Sequence, residues 1–231
     1  IVFLSFDSHT DDGFSISAVI ETPQVEINGN ADDPAIWFNE VDPSLSIVFG
    51  TDKYNGVYSY NLSGDVIGFS KSGSMNNIDL RTLNDNTYIF TTDSSNNTVN
   101  VWVYKNSYLH NKSKEGSFAL DKIPHHTSKV NFLAYGLCGG LSKKDEVIIF
   151  VTEAKGPGVQ LWKFDDVKLS LLNTFNNSNA YESEGCVFDD ENQKFFISEE
   201  NKKGVIRSYS LTNKLLLDNK FRIDDRDGNI T

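Results

Sequence analysis

The chain has 231 residues, 39% of them hydrophobic and 12% aromatic, which is enough apolar material for a sizeable core and too much for a disordered segment. Its formal net charge of -11 excludes nucleic acid as a partner, because phosphate backbones are bound by clustered Lys and Arg. A polyanionic small molecule could bind only through a bridging cation, and hard cations such as calcium take carboxylate ligands. No apolar run is long enough to span a bilayer.

Residues 1–27 form an N-terminal segment whose opening apolar run, Ile1 to Phe6, reads either as a signal-peptide remnant or as an edge strand. From 28 to 231 one pattern of short strands and polar turns repeats. A first unit near 31–73 contains predicted strands at Asp33–Trp37, Ser46–Thr51, Gly56–Tyr60 and Asp65–Phe69. A second, near 76–123, has Asn77–Arg81, Thr87–Thr92, Val99–Tyr104 and Ser117–Ile123. A third, near 133–176, has Tyr135–Cys138, Val147–Thr152, Val159–Phe164 and Leu169–Phe175. The fourth, near 182–224, has Glu184–Phe188, Lys194–Glu199, Val205–Tyr209 and Leu215–Ile223.

The aromatic closing each third strand, Tyr60, Tyr104, Phe164 and Tyr209, recurs about every 45 residues, with a longer gap before the third unit that marks an insertion. This predicts an all-β chain of four-stranded antiparallel blades, a β-propeller. Four blades either close on themselves or continue into further blades. Continuation is expected, because an open array leaves one blade face uncovered and the fourth unit carries no cap. Cys138 and Cys186 lie inside apolar strands with no metal-ligand spacing, so buried free thiols are expected ahead of a disulfide.

In an antiparallel blade the start of the first strand and the end of the second lie at one end, so these positions from every blade face one mouth. The first-strand starts carry Asp32, Asp33, Asn76, Asn77, Asp79, Tyr135, Glu182 and Glu184; the second-strand ends carry Asp52, Lys53, Asp93, Glu153, Lys155, Glu199 and Glu200. Crowded carboxylates raise one another's pKa, and a divalent cation relieves that repulsion. The donors are oxygen only, which favours calcium or magnesium over zinc. The competing reading is that Asp and Asn cap turns in any such fold; against it stands the recurrence of Glu, a poor turn former. Lys53 and Lys155 occupy equivalent loops where a phosphoryl group would want cationic donors. None of the four histidines falls at the predicted mouth.

The segments Ala31–Trp37, Asp42–Ser44, Gly50–Tyr60, Asn76–Arg81, Tyr135–Cys138, Glu184–Glu191 and Ile197–Glu200 resemble the β-propeller phytases, calcium-dependent enzymes that remove phosphate from myo-inositol hexakisphosphate. The resemblance runs from about Asp32 to Tyr209. It implies a six-bladed propeller of which four blades are present, monomeric when complete, secreted or periplasmic, and acting on phytate, met as its calcium complex, with several calcium ions. It also implies that Asp32, Glu184 and Glu200 hold catalytic calcium, with Asp79 among the metal carboxylates, and that Asp33 binds a structural calcium near the Asn77–Ile78 backbone. Lys53 and Tyr135 would bind the scissile phosphate, with Lys155 beside them, while metal-activated water attacks phosphorus.

Two departures from the family pattern stand out. Asp93 and Ser94 lie where a phosphate-clamping arginine is expected, and the loop from Thr152 to Gly158 replaces the usual Lys-Glu-Gly, so that the neighbouring calcium-binding glutamate is either Glu153 or lost. Two alternatives therefore stand beside phytate hydrolysis. One is a catalytically weak or inactive propeller that binds calcium and phosphorylated ligands. The other is a calcium-dependent propeller lactonase, which should lack Lys53 and Tyr135 at matched positions.

Overall fold

The computed structural model describes residues 18–25, 29–178, 180–200 and 205–211. Alternating and continuous apolar runs between Asn-, Asp- and Gly-rich turns give the chain a meander of short strands, as a period-two pattern dictates. The first sheet is β1 (Ala31–Trp37), β2 (Ile47–Asp52), β3 (Gly56–Tyr60) and β4 (Val66–Ser70), with a 3-10 turn at Pro43–Leu45 started by the Asp42 side chain. The second is β5 (Met75–Leu83), β6 (Asn86–Asp93), β7 (Thr98–Lys105) and β8 (His126–Lys129). The third is β9 (Ala134–Leu141), β10 (Val147–Glu153), β11 (Gly158–Phe164) and β12 (Leu169–Asn176); the fourth is β13 (Ser183–Asp189), β14 (Lys194–Glu199) and β15 (Arg207–Ser210).

Within each sheet the strands pair antiparallel in chain order. The predicted four-stranded blades are thus met in three sheets, and three strands are described in the last. The fourth strand expected there, Leu215–Ile223, and the signal-remnant or edge-strand reading of Ile1–Phe6 lie outside the described residues.

The sheets stack as propeller blades do, β1 against β5, β5 against β9 and β9 against β13. Each seam holds its own apolar layer. Trp37, Phe49, Ile89 and Trp102 fill the first, Phe90, Val101, Leu137 and Ile149 the second, and Phe150, Phe188, Phe195 and Tyr209 the third. Full burial of each such side chain contributes about 1.5–3 kcal/mol, so the seams, more than the sheets' own hydrogen bonds, fix the order of the blades.

The insertion expected before the third unit lies inside the second. It contains helix α1 (Asn106–Lys114), which places β8 well beyond β7. The strand predicted at Ser117–Ile123 does not form. Its alternating Phe118 and Leu120 are buried, but in the seam against the first sheet, where the Phe118 N–H donates to the Ile67 carbonyl at 3.0 Å. The true fourth strand, His126–Lys129, is a polar edge strand with no hydrophobic signal to reveal it.

The free-thiol expectation for Cys138 and Cys186 is also overturned: they form a disulfide, with Cα atoms 5.5 Å apart. The reason lies in the stacking. Cys138 is on β9 and Cys186 on β13, two first strands that pack directly on each other although 48 residues separate the cysteines.

Candidate functional site

Every first strand begins with the same irregularity. Three steps along β1, from Ala31 to Pro34, face two along β2, from Asp52 to Gly50. Met75 to Ile78 face Asp93 to Thr91, Ala134 to Leu137 face Glu153 to Val151, and Ser183 to Cys186 face Glu199 to Ile197. Each is a β-bulge with one extra residue, a device that re-aims side chains at a sheet edge. The bulges hold Asp32 and Asp33, Asn76 and Asn77, Tyr135 and Gly136, and Glu184 and Gly185. The candidate site residues on the first strands other than Asp79 are therefore bulge residues, turned out of the regular alternation.

Asp32, Lys53, Tyr135, Glu184 and Glu200 come together from three sheets. Lys53 Nζ lies 3.0 Å from the Asp32 carboxylate, with 23% of each side chain exposed, and 5.4 Å from the centre of the Tyr135 ring. The Tyr135 hydroxyl is within hydrogen-bonding reach of Glu184. Burial, and then the charge of Glu200, push the Glu184 carboxyl up to about 7; Lys53 opposes the rise and Asp32 adds to it. Burial also raises the Tyr135 phenol, followed by the charges of Glu184, Glu200, Glu182 and Asp32, so that it stays a hydrogen-bond donor at any physiological pH. Glu200 is tied at its backbone, its N–H donating to the Glu182 carbonyl at 3.1 Å.

The other predicted residues have different placements. Asp33 spans the first seam, accepting from Asn77 Nδ2 at 3.1 Å and from the Ile78 N–H at 3.0 Å. Burial raises its carboxyl to about 6 against the pull of those two donors, with the charges of Asp32 and Asp79 adding a little. Asp79 does not join the Asp32 group. Its carboxylate accepts from the Leu80 and Gly139 N–H groups at 2.7 and 2.8 Å and pairs with Arg81 at 3.0 Å. Arg81 also reaches Asp190 at 3.1 Å. Lys155 has an exposed side chain and a left-handed backbone (φ 58°), and its N–H is tied to Glu182 at 3.1 Å.

The turn-capping reading holds for the second-strand ends. Asp52 accepts from the Asn30 and Tyr54 N–H groups and from Asn55 Nδ2, at 2.9–3.1 Å. Asp93 accepts from the Ser95 and Asn96 N–H groups at 2.9 and 3.1 Å, and Glu153 from the Gly158 N–H at 2.9 Å. Glu199 pairs with Arg207 at 3.1 Å. Ser94 offers only a hydroxyl, spent on the Ser74 carbonyl at 3.3 Å. These acids hold hairpins, whereas the bulge acids Asp32, Asp33 and Glu184 face the neighbouring blades.

The bulge group suits a hard divalent cation by its donor chemistry. Its acids supply oxygen only, and the Glu184 carboxyl is raised by burial first and then by the charges of Glu200 and Asp32. Among the described residues no three Asp, Glu, His or Cys side chains lie close enough together to hold a metal ion, so water or substrate oxygens would have to supply much of any coordination shell. The described histidines stay out of it: His110 bonds Asn39, His125 bonds Asp121, and His126 packs on Phe164. A cavity of about 610 Å3 opens at the other end of the first two sheets, lined by Trp37, Phe38, Leu80, Asn106 and His110 among others, and holds none of the candidate residues. A smaller cavity, of about 180 Å3, is lined by Asp32 and Asp33 together with Thr51 and Tyr60. Sequence reading left out the part played by Asn77, whose side chain bonds Asp33; its place in the bulge opposite Thr92 was the available signal.

Comparison with known proteins bears on the chain as a whole. The family model described as Phytase matches residues 4–214. A 3-phytase of Bacillus subtilis (strain 168) is 39% identical over 69 residues, a stretch covering 29% of this chain and 18% of that protein.

Proposed function

Since the chain belongs to the phytase family, we propose that the protein hydrolyses phosphate monoesters of myo-inositol hexakisphosphate, with calcium at the mouth of the blades. The observation that carries this reading is the convergence of Asp32 and Lys53 from the first sheet, Tyr135 from the third and Glu184 with Glu200 from the fourth.

Asp32, Glu184 and Glu200 would hold calcium, which when bound supplies positive charge to activate water and neutralise phosphoryl oxygens. Lys53, already poised between a carboxylate and an aromatic ring, offers a mobile cation to an incoming phosphate and can exchange Asp32 for it. Tyr135 keeps its proton and donates a hydrogen bond to the same group. Lys155, exposed on its loop, is free to reach a second phosphate of a polyphosphorylated substrate. Asp33 belongs to the first seam and Asp79 to the Arg81 pair, so their share in metal binding would be structural rather than chemical.

Secretion or export to the periplasm fits the Cys138–Cys186 bridge, since disulfides persist in oxidising compartments. Among the described residues no helix is long and apolar enough to cross a membrane.

Phosphate release from phytate, followed with calcium and with excess chelator, tests the proposal. Calcium-dependent release that falls at least ~100-fold in Glu184→Ala is expected. Release indifferent to chelator refutes it. The second sheet favours one other reading: Asp93 and Ser94 give the phosphate no cation from that side. Calcium and inositol phosphate binding without turnover would establish a binding protein instead.

A further inference from the structure

The partner that faces each bulge is a hydroxyl residue: Thr51, Thr92 and Thr152, all buried, and in the fourth sheet the partly buried Ser198. In the first two sheets this threonine accepts from the second bulge residue of its own sheet, the Asp33 N–H at 2.9 Å and the Asn77 N–H at 3.3 Å. Its own proton goes to the next sheet. Thr51 donates to the Asn76 carbonyl at 2.7 Å, Thr92 to the Tyr135 carbonyl at 2.5 Å and Thr152 to the Glu184 carbonyl at 3.1 Å. All three threonines are 0–1% exposed, so neither proton nor lone pair has water as a substitute.

The repetition has a physical cause. A bulge frees a backbone carbonyl from its ladder, and a buried carbonyl must be paired. Threonine at the facing position meets that need and ties two blades together with one side chain. The carbonyls it holds in the third and fourth blades belong to Tyr135 and Glu184 themselves. Fixing those peptide planes fixes the direction in which the phenol and the carboxylate leave the strand. Between these blades the approach is close enough that a Cβ on Gly136 would collide with both the Glu184 carbonyl and the Thr152 hydroxyl.

We propose that Thr92 and Thr152 are positioning residues of the mouth, aiming Tyr135 and Glu184 through their main-chain carbonyls, so that blade packing and site geometry are set by the same hydrogen bonds. This rests on the phytate reading for its kinetic consequences but not for its geometry.

The test compares Thr92→Val and Thr152→Val, which keep the branched shape and lose the hydroxyl, with Thr92→Ser and Thr152→Ser, which keep the hydroxyl. Each is made in the whole protein, with 3-fluorotyrosine in place of Tyr135 as a spectroscopic probe. Thr92→Val should raise the KM for phytate about fivefold or more and displace or broaden the fluorine line of the calcium-free protein. Thr152→Val should raise the calcium needed for half-maximal rate about tenfold. The serine variants should stay within about twofold of wild type on every measure. Valine variants with a lower melting temperature but wild-type constants and fluorine line would overturn the proposal, as would serine variants no better than valine. If a valine variant does not fold, cysteine, a far weaker donor, takes its place in the same comparison. Should the wild-type protein release no phosphate, that outcome sinks the activity reading, and the fluorine comparison still decides the positioning role.

Discussion

At the residue scale, like carboxylates behave differently according to what donates to them. Asp52 and Asp93 are surrounded by N–H groups that cap their own hairpins; on Asp52 these outweigh burial and lower its pKa. Glu184 has mainly burial and other carboxylates around it and rises from an ordinary 4.5 to about 7. The sign for stability follows: a raised folded-state pKa means the folded chain binds the proton more tightly, so the contribution is full below about pH 4.5 and lost as pH climbs through about 7. Asp33, raised to about 6, acts in the same direction at slightly lower pH. The calcium-free protein is therefore expected to lose stability between pH 4.5 and 7, and Glu184→Gln to flatten that slope, as urea unfolding across the range would record. An unchanged slope in Glu184→Gln would place the effect elsewhere. Calcium should suppress the slope as well, because the ion competes with the proton for the same oxygen.

At the element scale, β9 is both the most demanding strand and the most constrained. Its sequence puts glycine at 136, 139 and 140, where a Cβ would strike the Glu184 carbonyl, the Phe90 ring and the Phe188 ring respectively. Three glycines let the neighbouring blades close on β9 but give it few side chains with which to key its own position. The Cys138–Cys186 bridge supplies that constraint covalently across the seam with β13. Because it closes a loop of 48 residues, removing it in Cys138→Ser/Cys186→Ser should cost about 4 kcal/mol of stability in the chain-entropy account, measurable as a lower denaturant midpoint with a steeper slope from the less compact denatured chain. A cost below about 1 kcal/mol would mean that the apolar layer of Phe150, Phe188 and Phe195 holds the seam unaided.

At the scale of the whole molecule, calcium binding to groups drawn from different blades links ligand affinity to the order of the stack. An ion held only by the folded array should stabilise it by about 2.7 kcal/mol at a hundredfold excess over Kd, or about 5–10 °C in melting temperature for a chain of this size. Calorimetry with calcium and with chelator measures this directly, and equal melting temperatures would argue that no ion binds at the mouth. The strand pattern, the blade period, and the positions of Asp32, Lys53, Tyr135, Glu184 and Glu200 at strand ends were legible in the sequence, because period-two alternation and turn chemistry are local properties of the chain. Phe118 and Leu120 misled for the same reason: alternation marks a buried face without saying whether a strand or a neighbouring blade buries it. The Cys138–Cys186 bond, the separation of Asp79 from the other acids, and the threonine bonds between blades were decided by tertiary structure alone. Each depends on which blade faces which and in what register, and that is settled by packing between residues tens of positions apart, beyond the reach of any local pattern.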